Sequence, residues 1–486
     1  MLRRLFRPPE TPPPLPPGPD CTARQIRLAY QLILNRQPDP GGFAHYMERC
    51  KAGLPLRDLM LELLASDECQ RLTTTVAAAT AGANEPIDPA LIDPATLIQQ
   101  LKMDDLIETS DQYYRRVVDP TPLMSKPLTF LHEAPAMLEN IGQMLAGLQL
   151  GKTMTVLDFG AGTGWLSRML LQLQCRPICC DVSETALTIG KRLIDEHPLI
   201  GGAAFDPVFL KFDGHRLDLP DASVDRIVCF DAFHHVPNPS EVIAEFARVL
   251  KPGGIAGFSE PGRHHSRSPQ SQYEMRNHQV LENDIDLNAI FAAAAPAGFT
   301  ELRLHVLNDL IISLDEYNTL HDEQSAATDA VRDHVMRGTA DAMGSRTIFF
   351  LHKGPVKLDS RGHAGLAHRI ESQNSDTVAA PGRKVLLRFL LTNTGQAMWL
   401  KSNVKNIGIV RLASHLYDGG GQLIEVDFSR HDIPHDVAPG NRVPMEVRVE
   451  MPNDGRFRLG FDLVSEGVTW FENSGSVPCY VTVDSQ

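Results

Sequence analysis

The chain has 486 residues, 60 of them acidic and 46 basic, for a formal net charge of −14. That length exceeds one ordinary domain and predicts two or three units, each able to bury its own core. The acidic balance, with no long Lys/Arg cluster to offset it, argues against a nucleic-acid substrate, and no apolar run reaches the length of a membrane span.

The opening Met1-Leu2-Arg3-Arg4-Leu5-Phe6-Arg7 is basic and apolar, but Pro8 and Pro9 end it before the core of a signal peptide develops. A cytoplasmic chain is expected, with at most a weak membrane-surface or partner contact through these residues. Eight prolines between positions 8 and 19 predict a disordered tail over 1–20. Helical periodicity follows over 21–70. Ile26, Leu28, Tyr30, Leu32 and Ile33 make an apolar face, Asn35 to Gly42 breaks it, and helices are expected around Phe43 to Cys50 and Leu56 to Leu64. The Arg36-x-Pro38-Asp39-x-x-Gly42 break, with Ala65-Ser66-Asp67-Glu68 after the last helix, resembles a short helical repeat domain found beside bacterial glycosyltransferases and surface-associated proteins. An Ala-, Thr-, Gly- and Pro-rich stretch over 71–95 reads as a linker. The cysteines show no paired C-x-x-C spacing, so apolar packing in a reducing compartment is expected rather than zinc or disulfides.

From Val156 to Trp165 an apolar strand meets a helix through Gly160, Gly162 and Gly164 at alternate positions. Such a junction lets the main chain turn sharply and present helix amides to a nucleotide-like ligand. A dinucleotide fingerprint fits poorly, because its first glycine should follow the strand at once. Ile178-Cys179-Cys180-Asp181 reads as a second strand ending in a carboxylate, placed where an acid can hold two ribose hydroxyls. Phe212-Asp213-Gly214, Asp218-Leu219-Pro220, the strand Ile227 to Phe230 with Asp231 to His235 after it, and Arg248 to Gly254 complete an ordered series.

This series resembles the class I S-adenosylmethionine-dependent methyltransferases over roughly residues 105 to 355. The resemblance implies an α/β, Rossmann-like seven-stranded sheet over 96–355 with S-adenosyl-L-methionine as cofactor. It places Gly160, Gly162 and Gly164 against the methionine part, with Asp158 at the loop. Asp181 would take the ribose hydroxyls, Asp213 and Gly214 the adenine, and Phe230 with Asp231 the cofactor floor. Asp158 as a loop cap and Asp213 as an ordinary turn aspartate are the plainer alternatives. Residues 95 to 150 would fold over the cofactor as a helical lid, carrying Tyr113, Tyr114, Lys126 and Pro127, with the tyrosine pair as core or as a stacking surface.

After the expected Lys251-Pro252-Gly253-Gly254 turn, Ile255 to Ser259 reads as a buried strand ending in Glu260, His264 and His265. Loops beyond the carboxyl ends of parallel strands are where open α/β sheets place chemistry. His235 and His264 are therefore the candidate bases, with Glu260 orienting one of them or binding substrate hydroxyls. His234 and His265 leave open which member of each doublet points inward. No ligand pair at fixed helical spacing is visible, so no metal is expected. Leu302 to Val306 and Thr347 to Leu351 would be the last two strands, separated by a helical insertion.

Residues 356–375 read as a linker, and beyond them the pattern changes to period two. Strands are expected at Val385 to Leu391, Ile409 to Leu416, Leu423 to Phe428, Val443 to Val449, Phe457 to Val464 and Tyr480 to Val483. Residues 376–486 thus predict an all-β sandwich. Asn393-Thr394-Gly395 before Trp399, Val437 to Gly440 and Asp462 to Phe471 resemble immunoglobulin-like domains appended to bacterial surface-polysaccharide enzymes and exporters. Trp399, His415, Trp470 and Phe471 are a candidate sugar-stacking surface, against burial in the sandwich core. Together these readings imply O-methylation of a sugar on a surface polysaccharide or its precursor, with glycan-assembly proteins as partners. A small metabolite or lipid acceptor, and a noncatalytic glycan-binding scaffold, are the alternatives.

Overall fold

A computed structural model describes residues 23–34, 38–64, 66, 91–307, 310–321 and 328–486. The proline-rich tail, its basic start and most of the expected 71–95 linker lie outside the described residues. The chain divides into two compact units, Met1–Asp88 and Pro89–Gln486. In the first, α1 (Ala23–Leu34), α2 (Pro40–Lys51) and α3 (Leu56–Leu64) close over Ile26, Ala29, Tyr30, Cys50, Leu59 and Leu63. Helix α2 starts at Pro40 rather than at Phe43, because Asp39 caps it by accepting the Gly42 N–H at 2.9 Å and proline suits the first helical position. Cys50 is disulfide-bonded, which corrects the expectation that no cysteine is paired. Cys175, Cys179, Cys180 and Cys229 are buried thiols, as apolar packing predicts.

The second unit opens with four helices: α4 (Pro94–Gln100), α5 (Met103–Arg115), α6 (Thr121–Met124) and α7 (Ala134–Leu148). Strands and helices then follow, alternating except where β4 succeeds β3 directly: β1 (Thr155–Phe159), α8 (Trp165–Gln172), β2 (Arg176–Asp181), α9 (Glu184–Glu196), β3 (Val208–Lys211), β4 (Val224–Phe230), α10 (Pro239–Val249) and β5 (Leu250–Pro261). The last part holds α11 (Pro269–His278), α12 (Leu287–Ala297), β6 (Glu301–Leu304), α13 (Leu314–His321), α14 (Thr328–Ser345) and β7 (Arg346–His352). The strands form one sheet in the order β3-β2-β1-β4-β5-β7-β6, parallel through β5, with β7 antiparallel to both neighbours. Strand β4 is buried from end to end, its apolar run Ile227 to Phe230 because helices cover both faces, and Asp225 and Arg226 through hydrogen bonds and an ion pair. Leu157, Ile227 and Phe258 pack on one side, Val156, Val228 and Ile348 on the other. The Lys251 to Gly254 stretch is not a separate turn. It lies inside β5, where the pairing with β4 skips register between Val224 and Arg226.

Eleven short strands follow: β8 (Leu358–Asp359), β9 (His368–Ser372), β10 (Thr377–Ala380), β11 (Lys384–Asn393), β12 (Ala397–Met398), β13 (Val410–Asp418), β14 (Leu423–Asp432), β15 (Arg442–Glu450), β16 (Gly455–Ser465), β17 (Thr469–Trp470) and β18 (Cys479–Ser485). One sheet runs β10-β18-β16-β13-β14 with β17 on β16, the other β15-β11-β9, while β12 pairs with β8. Strict alternation on β15 turns Val443, Met445, Val447 and Val449 onto a shared core with Leu387, Phe389 and Phe461. The expected 356–375 linker is corrected, since β8 and β9 lie within it. The sugar-stacking surface also fails for Trp399, His415 and Phe471, which are buried. Of the four, only Trp470 keeps some exposure, with the His415 ring 4.4 Å away and Arg430 5.4 Å from its ring centre.

The sandwich docks at the starting edge of the parallel strands. Arg361 reaches Asp225 at 3.1 Å and Asp359 at 2.8 Å, Asp225 also takes Lys251 at 3.0 Å and the Thr155 N–H at 2.9 Å, and the Arg361 carbonyl accepts the Lys152 N–H. Asn403 donates to Thr153 at 2.9 Å and Lys152 to the Gly467 carbonyl at 2.6 Å. Asp225 is buried, and although burial raises a carboxyl, Arg361 and then Lys251 hold it below its ordinary value. Arg361→Ala should lower stability by about 2 kcal/mol, because it strips a charge-assisted partner from a buried carboxylate. The loss should be present at neutral pH and fade as pH falls through the lowered Asp225 pKa, where the carboxyl protonates. Urea unfolding of both proteins measured against pH checks this; coincident midpoints at pH 7 would refute it.

Candidate active site

A cavity of about 570 Å³ opens at the carboxyl ends of the parallel strands, and its lining residues all lie between Met103 and Arg346. One half is built after β1, β2 and β3. Gly160, Gly162 and Gly164 all take positive φ (69°, 53° and 70°), which glycine adopts at little cost. A methyl group on Gly160 would stand 2.3 Å from the Ala232 side chain, and one on Gly162 would stand 2.8 Å from the Tyr114 hydroxyl, so neither position has room for a side chain. Asp181 ends β2, buried but facing the cavity, and accepts the Gly162 N–H and the Ser183 N–H, both at 2.8 Å. Burial raises its pKa, and these N–H donors work against that rise.

The lid is helical as expected, and it is tied to this half by a residue the sequence reading missed. Asp111 on α5 accepts the Ser183 hydroxyl at 2.7 Å and the Thr185 N–H at 2.9 Å, and pairs with Arg115 at 2.7 Å. Although burial alone would raise it, these partners hold Asp111 below its ordinary value. Tyr114 and Tyr113 both line the cavity. The Tyr114 phenol is raised by burial and then by the Asp181 charge. Met103 closes over Gly214.

Five expected cofactor residues lie outside the lining: Gly162 and Gly164, in the loop that lines the cavity at Gly160, and three whose side chains are committed elsewhere. Asp158 is buried outside the lining and accepts the Ser167 hydroxyl at 2.6 Å, tying β1 to α8. Asp213 is exposed, and its Oδ1 accepts the His215 and Arg216 N–H groups at 2.8 and 2.7 Å. That is the turn-aspartate alternative, while Gly214 beside it does line the cavity. Phe230 packs edge-on against Trp165 on the other side of the sheet, so the aromatic floor is Phe159 and Phe212 instead. The period of two in β4 explains this: Cys229 and Phe230 must face opposite sides. Asp231 remains at the cavity, with φ of 50° and an ion pair to Arg346 at 2.8 Å.

The other half lies beyond β4 and β5. Glu260 is wholly buried and does not line the cavity. It accepts N–H groups of Ala232, Phe233 and His234 at 3.2, 2.9 and 3.3 Å, and pairs with His234 Nδ1 at 2.7 Å. It therefore orients a histidine rather than binding substrate. Burial opposes ionisation of both, yet the mutual hydrogen bond and charge win, so Glu260 is lowered and His234 raised. His235 faces the cavity with 41% of its side chain exposed, and its Nδ1 bonds the Leu281 carbonyl at 2.6 Å. Desolvation, followed by repulsion from His234, pushes its pKa down, away from the range of a base at neutral pH. His264 is corrected. It takes a left-handed conformation (φ 65°) outside the lining, and His265 turns inward in its place.

His265 Nε2 meets Glu282 at 2.6 Å, with the Ser271 hydroxyl 3.3 Å away. Glu282 also lies 3.8 Å from His234 Nε2 and from His235 Nδ1. Burial raises this carboxyl, but His265 and the other two histidines outweigh it and leave it lowered. Glu282 was not a candidate from sequence, since Gln279 to Asp286 has no motif or periodicity to single it out.

The residues present fit S-adenosyl-L-methionine. A carboxylate fixed by N–H donors, a glycine cradle without space for side chains and an apolar wall of Met103, Val182 and Phe212 suit a nucleoside with a sulfonium tail. Residues 157–258 match the family described as a methyltransferase domain. A ubiquinone biosynthesis O-methyltransferase of Shewanella halifaxensis is 33% identical over 138 residues, covering 28% of this chain and 54% of that protein. A ubiquinone/menaquinone biosynthesis C-methyltransferase of Ectopseudomonas mendocina is 30% identical over 24% of this chain and 46% of its own. The chain thus spans about half the length of the curated relatives it matches. A phosphoethanolamine N-methyltransferase 2 structure from Haemonchus contortus, in complex with S-adenosyl-L-methionine, aligns over 56% of this chain and 62% of its own, at 15% identity and a TM-score of 0.33.

Burial raises Asp158 from 3.8 to about 7, against the Ser167 hydrogen bond. Between those values the folded carboxyl holds its proton while the unfolded one does not, so its stability penalty grows as pH rises through that window. Asp158→Asn, which cannot ionise, should gain in Tm relative to the parent from pH 4 to pH 8. Scanning calorimetry across that range tests this, and a Tm difference independent of pH would contradict it.

Proposed function

We propose that this protein transfers a methyl group from S-adenosyl-L-methionine to a hydroxyl oxygen of an acceptor seated beside His235, His265 and Glu282. The observation behind this reading is one cavity with two chemically distinct halves, an N–H-held carboxylate beyond β2 and a His/Glu cluster beyond β4 and β5. Asp181 would hold the ribose hydroxyls, Gly160 would give the methionine part room against the main chain, and Gly214 with Met103 would enclose the adenine. When bound, the cofactor supplies an electrophilic methyl on a sulfonium and leaves as the neutral thioether. Most of the rate then comes from alignment and exclusion of water, which the lid helix α5 provides.

His265 is the base in this reading. Glu282 accepts from its Nε2–H, which leaves the other ring nitrogen to take the hydroxyl proton as the new O–C bond forms and the S–C bond breaks. The curated relatives named as O-methyltransferases favour oxygen as the acceptor atom. The helical module and sandwich, by their resemblance to parts of glycan proteins, favour a sugar hydroxyl of a surface polysaccharide or its precursor. A hydroxylated aromatic of the kind ubiquinone biosynthesis uses is the second reading, and the O-methyltransferase name of the relatives supports it.

Incubation with labelled cofactor and either a sugar-lipid precursor or a polyhydroxylated aromatic should add one methyl mass to one acceptor class; no transfer to either would sink the proposal. His265→Ala should lower kcat about 100-fold with cofactor affinity unchanged. His264→Ala should stay within about twofold, as its ring lies outside the cavity. Calorimetry of Asp181→Ala should show cofactor binding weakened at least about 100-fold, the loss of a charged, paired hydrogen-bond acceptor.

A further inference from the structure

We propose that His234, His235 and Glu282 hold a divalent transition cation of the zinc or cobalt type at the acceptor half of the cavity. One donor atom from each lies within 4.8 Å of the others, and all three residues line the cavity. Ligation at about 2.0–2.2 Å brings such donors to roughly 3.3 Å of one another. The closure needed is on the order of 1 Å, within reach of side-chain torsions.

A second feature points the same way. Histidine ligands characteristically donate their remaining N–H to a carboxylate or a backbone carbonyl, which fixes tautomer and ring orientation. Both histidines here are so arranged. His234 Nδ1 is on Glu260 at 2.7 Å with Nε2 turned toward Glu282, and His235 Nδ1 is on the Leu281 carbonyl at 2.6 Å, leaving its Nε2 as a donor for an ion. Glu282 in turn is steadied by His265 at 2.6 Å. Two imidazoles and one carboxylate with open positions toward a cavity form a set that suits a Lewis-acidic cation. Such an ion would polarise an acceptor hydroxyl, and this role, unlike the binding itself, rests on the methyl-transfer reading.

The full chain is titrated with Co(II), read by its visible absorption, and with Zn(II) in competition. One equivalent should bind in the wild type. Glu282→Gln and His235→Ala should each weaken that equivalent at least about 100-fold, and Glu260→Gln by about 10- to 100-fold. The His235 ring stands in the cavity, so His235→Ala keeps the test if Glu282→Gln does not fold. No cobalt binding at micromolar protein, or an equivalent that survives in both ligand variants, overturns the site. S-adenosyl-L-methionine is titrated into the same proteins. Cobalt bound through His235 and Glu282 without cofactor binding removes the methyl-transfer reading and leaves the metal site. Cofactor bound without cobalt does the reverse.

Discussion

A buried carboxylate costs several kcal/mol unless hydrogen-bonded, and Asp181 is where this chain meets that cost. Its two N–H donors come from different elements, Gly162 in the loop after β1 and Ser183 at the start of α9. Ser183 caps α9 by accepting the Ala186 N–H at 3.0 Å, and its hydroxyl passes on to Asp111 in the lid. One charge at the end of one strand therefore fixes the glycine loop, the next helix and the lid helix together. The arrangement still leaves the carboxylate facing the cavity.

The acceptor half repeats the strategy with Glu260. A charge at the end of β5 gathers three successive N–H groups and one imidazole from the turn after β4. That turn begins at Asp231 in a left-handed conformation, which a non-glycine residue holds only under surrounding constraint. Removing Glu260 would leave those donors unsatisfied in a dry interior, which costs more than the hydrogen bonds themselves contribute. Glu260 thus fixes the His234 ring and the turn that carries His235.

The legible parts of the sequence were those with short-range causes. Unbroken apolar runs announced strands covered on both faces, three alternate glycines announced a tight strand-to-helix junction, and period two announced the sandwich. Asp181 was legible because a strand, its helix and the next strand have a nearly fixed length. The histidine doublets were not, because local backbone and tertiary packing decide which ring reaches a cavity: the His234 and His235 rings stand 3.9 Å apart, whereas left-handed His264 only precedes the 3-10 turn that begins at His265. His234 and His235 both reach the cavity, whereas His265 replaces His264. Glu282, Asp111 and Arg361 owe their roles to partners between 17 and 136 residues away, a separation at which no local pattern survives. Asp213 shows the opposite error: the motif position was occupied, but the side chain was already committed to its own turn.

The attachment of the sandwich limits what it can do for the site. Arg361, Asn403 and Gly467 grip Asp225, Thr153 and Lys152 at or just before the first residues of β4 and β1, and the cavity opens past the last residues of those strands. Five residues of strand separate the two edges by roughly 17 Å of polar and packed interior. No residue beyond Arg346 lines the cavity among the described residues. Within one chain the sandwich is thus able to locate or brace the catalytic domain, but not to complete its pocket. Acceptor selectivity must then be written in the lid, the turn after β4 and the segment that delivers Glu282.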